Sequence, residues 1–338
     1  MSISSGINPG ASFAIPGPLD SEKAQTQQGR GSPSSNSNAG STDSSHEHHW
    51  RLWQPGNKGD LGFFEGSIRE MQSIVLVPGQ DKEVRRFGGG HHHYYVDSGK
   101  VATPDWLSGG RFSLRAGSPG ETVLHVENAS GKCRSGLFIH VRRRITLQVH
   151  FLVLEDGQKL RAKGYSVDQR KKIIDTINDI YLPQLGVEVV DAAPGTAATS
   201  ESSSISIDMS LGDPINFALL ASVTVQSKIM KKIPPAMQHS VPKFIFTRKF
   251  SEAGTEGLTR GDRLFIPDGL EPDRVGRVCG HELAHLLTTD IEGELDPGGH
   301  TAIADHLLNK TGSGVRLDPF AMSLAMYRKS LDVGGTYE

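Results

Sequence analysis

Apolar and polar residues follow two different rhythms along this chain, and the change falls near residue 142. Between Trp50 and about Val141 the apolar positions come in short runs, several of them alternating with polar ones. Ser73-Ile-Val-Leu-Val77, Arg111-Phe-Ser-Leu-Arg115, Thr122-Val-Leu-His-Val126 and Leu137-Phe-Ile-His-Val141 read as strands, several with the period of two that buries one face. Gly-Ser-Pro-Gly at 117–120 and Asn-Ala-Ser-Gly at 128–131 supply turns between them. No helical period of any length interrupts this stretch, so residues 50–142 are expected to form an antiparallel β-sandwich. Gly88 to Tyr95 holds three adjacent histidines. Neighbouring side chains on a strand point to opposite faces, so a solvated loop is expected there rather than a metal site.

From about residue 143 to 338 the pattern mixes strand and helix. Ile145–Leu154 is a long apolar strand. Ser166 with Gln169 is a capping box, after which Ile173, Ile174, Ile177 and Tyr181 recur at helical spacing until Pro183 and Gly186 stop the helix. Val187–Val190, Ile205–Leu211, Lys243–Phe250 and Leu264–Ile266 read as strands, with a low-complexity surface loop over 192–204. Pro272 opens another helix, and Asp318 with Pro319 starts a last one that carries Phe320, Leu324 and Tyr327 on one face. The expectation is an α+β domain. Arg142-Arg143-Arg144 at the junction reads as a solvated linker.

Composition narrows the picture. Residues 1–48 are dominated by Ser, Gly, Asn, Gln and Pro, too few apolar side chains to offset the entropy of ordering, so a disordered tail is expected. His46-Glu47-His48-His49 at its end is read as part of that tail. A net charge of -2 gives no footprint for nucleic acid and no general attraction to a membrane, and no apolar run approaches bilayer-spanning length. Two cysteines, Cys133 and Cys279, fall in different expected domains, which excludes a disulfide scaffold.

The chemistry concentrates in His281-Glu282-Leu283-Ala284-His285. Four residues make just over one helical turn, so the two histidines share a face and can grip one metal ion. Glu282 sits beside them, able to take a proton from a metal-activated water. Apart from Glu282, no charge interrupts residues 278–287. Polar groups on so apolar a helix need a reason to be there. Catalytic zinc keeps three protein ligands and one open position, so a third is required. Gly298-Gly299-His300 and Ala304-Asp305-His306-Leu307-Leu308-Asn309 follow downstream.

Residues 143–331 resemble the zincin-type metallopeptidases, and within them metzincin-related bacterial peptidases in which a longer loop delivers a histidine before an Asn-Leu-Met-type turn. The resemblance implies Zn2+ held by His281, His285 and His300, with His306-Leu307-Leu308 in the turn. His306 and Asp305 remain alternatives for the third ligand, and Leu308 stands where the family carries methionine. The strand ending in Pro-Gly-Gln at 78–80, the Gly-Arg-Phe-Ser-Leu strand and the Ala-Gly-Ser-Pro-Gly-Glu-Thr-Val-Leu segment together resemble bacterial Ig-like domains. The fold expected is thus an all-β Ig-like sandwich followed by an α+β zincin-like metallopeptidase domain.

The expected activity is a zinc-dependent endopeptidase acting on a protein or peptide substrate, with Glu282 as general base. A short edge strand, Leu264-Phe265-Ile266, would pair with the substrate backbone. The rivals are a catalytically silent binding protein of the same fold, against which the intact Glu282 argues, and a zinc hydrolase of a non-peptide bond. The Ser-rich first residues, with no acid before Asp20, are similar to the N-termini of effectors exported through bacterial type III needles. The expected location is the bacterial cytoplasm or, by export without a Sec signal, a host cell.

Overall fold

The computed structural model describes residues 50–52, 63–67, 71–86, 93–127, 133–193, 203–237, 241–252, 254–288, 299–301, 306–309, 314–317 and 320–338. The expected tail at 1–48, the turn at 128–131, His91, His92, Asp305, Asp318 and Pro319 lie outside them.

The alternating runs become two stacked sheets. One joins β1 (Trp50–Leu52), β4 (Asp81–Arg86), β7 (Arg111–Ala116) and β6 (Ala102–Ser108), in that order. The other runs β2 (Phe63–Ser67), β3 (Met71–Leu76), β9 (Cys133–Val141), β8 (Gly120–Glu127), β5 (His93–Val96). Val84, Phe112 and Leu114 from the first sheet meet Ile74, Leu76, Leu124, Val126, Leu137 and Ile139 from the second in one dry core. Alternate residues of β7 and β8 face that core, which is what the period of two requires. Pairing is not wholly antiparallel as expected: β3 lies parallel to β9. Their far separation in sequence permits this, because no tight hairpin has to join them. His93, expected in a loop, begins β5 and is exposed.

Beyond residue 144 lies a second sheet system of seven strands. Its main path is β11 (Val187–Asp191), β10 (Ile145–Glu155), β13 (Lys243–Thr247), β15 (Arg263–Pro267), β14 (Leu258–Arg260), with β12 (Ser203–Ser206) and β16 (Thr336–Tyr337) also pairing with β10. β11, β12 and β13 all run parallel to β10, and β15 parallel to β13. Only β14 and β16 are antiparallel to their neighbours. The odd-numbered residues of β10 from Ile145 to Val153 pack beneath α1 (Val167–Leu185), α4 (Pro272–Leu287) and α5 (Phe320–Asp332). Leu152 and Leu154 face the other way, toward α2 (Phe217–Ala221) and α3 (Val223–Lys232).

Helices therefore cover both faces of a mainly parallel sheet, rather than standing apart from it as an α+β reading expects. Parallel strands need crossovers, and α1 supplies the one from β10 to β11. α2 and α3 were not anticipated, although Asn216 and Ser222 cap them through side-chain bonds to Leu219 N and Val225 N. Pro183 does not stop α1 but sits in its last turn, and Gly186 ends the helix in the left-handed region at φ 75. The buried stripe of α5 runs through Met322, Met326 and Tyr327.

The two parts share a wall. Ile74 and Leu76 point into the sandwich, whereas Val75, on the opposite face of β3, is 1% exposed and belongs to the core around α1, α4 and α5. The arginine triplet, expected as a solvated linker, is only partly so: Arg143 is exposed, Arg144 half-buried and Arg142 buried. Arg142 is buried with its guanidinium 5.1 Å from the Tyr327 ring centroid, Arg143 lies over Tyr337, and Arg144 pairs with Glu188 at 3.2 Å. A guanidinium can stack on a ring while keeping its in-plane donors available, so an arginine such as Arg142 can be buried at a domain junction.

Val75→Asp would bury an unpaired carboxylate in this wall and should destabilise the protein by about 3 kcal/mol or more. Denaturant unfolding followed by circular dichroism measures it, and an unchanged midpoint would mean that β3 does not seal the second core.

Candidate metal centre

Helix α4 owes its place to α1. A Cβ on Gly276 would come within 2.6 Å of Thr176 Cβ, so glycine lets the two helices touch. One turn later Tyr181, fully buried on α1, donates its hydroxyl proton to the Gly280 carbonyl at 2.7 Å. Val275, Val278, Cys279, Leu283, Ala284, Leu286 and Leu287 are buried. His281 and His285 are each half-buried on a common face. Their rings stand 4.7 Å apart and their Nε2 atoms 3.1 Å apart.

His300 reaches the same place from the segment after α4. Its ring lies 5.5 Å from that of His281 and 4.8 Å from that of His285. Ligand atoms of the three imidazoles all fall within 4.8 Å of one another. Two nitrogens bound to one tetrahedral zinc at 2.0–2.1 Å lie about 3.3 Å apart; the His281–His285 pair meets that spacing, and the set of three suits the ion in number and type. Among the described residues this is the one group of three or more His, Cys, Asp or Glu side chains so arranged.

A metal ligand must also present the correct nitrogen in the neutral state. His281 Nδ1 lies 2.6 Å from the Leu307 carbonyl. A carbonyl can only accept, so Nδ1 carries the proton and Nε2 keeps its lone pair. Burial lowers the pKa of His281 to about 4, against an upward pull from that carbonyl. The ring is therefore neutral at pH 7.

Leu307 belongs to a tight turn braced on both sides. Asn309 N donates to His306 O at 3.0 Å, and Leu308 N to His306 Nδ1 at 3.0 Å. Thr301 N donates to Leu308 O at 3.2 Å, which ties the turn to the segment bearing His300, while Leu307 N donates to Arg316 O at 2.7 Å. Gln184, buried on α1, holds that last segment from below. Its Nε2 donates to Val315 O at 2.8 Å and its Oε1 accepts from Leu317 N at 2.9 Å. Leu307 and Leu308 are fully buried beneath α4. His306, the alternative ligand, has no exposure and spends its Nδ1 inside the turn. Asp305 lies outside the described residues.

Glu282, 5% exposed, points toward β14. Burial pushes its carboxyl up to about 7, and the Thr259 hydroxyl at 2.6 Å pulls it back down. Thr259 and Gln184 escaped the sequence reading because neither belongs to a motif. β15, expected as the substrate edge, has β13 on one side and β14 on the other, and Leu264, Phe265 and Ile266 are all fully buried. Three apolar residues in a row mark a strand covered on both faces rather than an edge. The edge beside α4 is β14.

No protein-family model matches this chain, and no curated protein matches it.

Two predictions follow from this geometry. His300→Ala should lose stoichiometric zinc while His306→Ala keeps most of it, as read by elemental analysis of purified protein; equal occupancy would remove His300 from the ligand set. Gln184→Met keeps the volume but loses the amide, and should weaken zinc about 10- to 100-fold. Competition with a chelating dye measures this, and an unchanged affinity would sever Gln184 from the site.

Proposed function

We propose that the chain is a zinc-dependent endopeptidase of the zincin type. The observation that carries this reading is the convergence of the His281, His285 and His300 imidazoles, with a buried carboxyl, Glu282, on the helix that bears the first two. Three neutral nitrogen ligands leave one position for water or substrate, the mark of a catalytic rather than a structural zinc. When bound, zinc supplies Lewis-acid chemistry: it polarises a carbonyl and acidifies water.

The chain's own groups do the rest. Leu307 O fixes the tautomer of His281 so that Nε2 faces the ligand set. Glu282 accepts a proton from the attacking water and hands it to the leaving amine, a role that suits a carboxyl whose pKa lies near 7. Among the described residues β14 is the outermost strand beside α4, an edge on which an extended peptide could pair. The intact carboxyl at 282 favours turnover over silent binding, because a binding-only site has no use for a base.

Purified protein should contain one zinc per chain and cleave peptides from a proteome-derived library, with cleavage abolished by a chelator and restored by zinc. Glu282→Gln should keep the zinc and lose about 10²–10⁴-fold in rate, whereas His281→Ala or His285→Ala should lose metal and activity together. A Glu282→Gln protein as fast as wild type would dismiss the mechanism.

A further inference from the structure

Glu282 is gripped from outside its own helix. Thr259 Oγ1 lies 2.6 Å from Glu282 Oε2 and 2.9 Å from the backbone carbonyl oxygen of the same residue. Just before it, Gly257 lies so close that a Cβ would sit 2.1 Å from Glu282 Oε1 and 2.5 Å from Cδ. Space rather than backbone freedom demands glycine there, since Gly257 is not among the positive-φ residues.

Thr259 is bonded to both the side chain and the main chain of Glu282, and Gly257 packs against the other carboxyl oxygen, so the carboxyl is held from two sides by residues outside its own helix.

We infer that Thr259 and Gly257 are positioning residues that hold Glu282 in one place through both halves of its catalytic cycle. This rests on the peptidase reading above. In the first half, water forms a C–O bond to the scissile carbonyl carbon and its proton passes to Glu282. In the second, the C–N bond breaks and Glu282 returns that proton to the amine nitrogen. A carboxyl that stayed put would serve both transfers without reorganisation, which is where positioning gains rate. A merely structural Thr259 would tie β14 to α4 and nothing more.

The test uses the zinc-loaded full chain and a peptide that the wild type cleaves. Thr259→Val should keep zinc and leave KM within about twofold, while kcat falls about 10- to 100-fold, the scale of one hydrogen bond to a charged group. Thr259→Ser should restore kcat to within about threefold of wild type. Gly257→Ala should keep zinc and lower kcat, independently of any effect of the threonine change on folding. In a Glu282→Gln background, Thr259→Val should cost nothing further, because the group it positions is gone. The inference is overturned if Thr259→Val is as fast as wild type, if it loses zinc, or if it costs the same factor with and without Glu282. A wild type with no zinc-dependent cleavage would instead overturn the peptidase reading, and this inference with it.

Discussion

The hydrogen bond from His281 Nδ1 to the Leu307 carbonyl, at 2.6 Å, is the constraint on which the centre depends. It does two jobs at once. It decides which ring nitrogen faces His285 and His300, and it fastens the 306–309 turn to the helix carrying the motif. The same turn bonds to Thr301, so the position of His300 is linked to the ring it must meet. Behind the turn stands Gln184, whose amide spends a donor and an acceptor on residues 315 and 317. Helix α1 thereby supports the site twice, once through Gln184 and once through the Tyr181 bond to Gly280.

Burial explains the electrostatic character of the centre. Desolvation disfavours charge, so it lowers the pKa of His281 and raises that of Glu282. It raises the Cys279 thiol as well, which leaves that side chain an inert, protonated part of the core. A helix this apolar admits polar groups only where each finds a partner. Glu282 finds Thr259, and His281 finds Leu307.

The sandwich is more than an appended module. β3 sends alternate residues into two different cores, so removing the sandwich would expose what packs against Val75 on α1. The arginine triplet completes the join by stacking on Tyr327 and Tyr337 and pairing with Glu188 and Glu338. A basic run reads as solvated when its partners, which come from β11, the C-terminal helix and the chain end, are not in view.

Local features were legible in the sequence because their physics is local. The pairing of His281 with His285 follows from helical pitch alone, the capping box at Ser166 and Gln169 from a separation of three residues, and the sandwich strands from their period of two. The family resemblance could rank His300 among candidates, but only the tertiary structure brings its ring beside the other two. Strand order, the parallel β3–β9 pair and the interior place of β15 are choices among pairings that one sequence pattern permits equally. The partners that orient the site stand 26 residues from His281, 23 from Glu282 and 131 from Gln184. A backbone carbonyl such as that of Leu307 leaves no signature in side-chain identity. Such contacts exist only once the sheet and the α1–α4 packing have carried distant segments to one point.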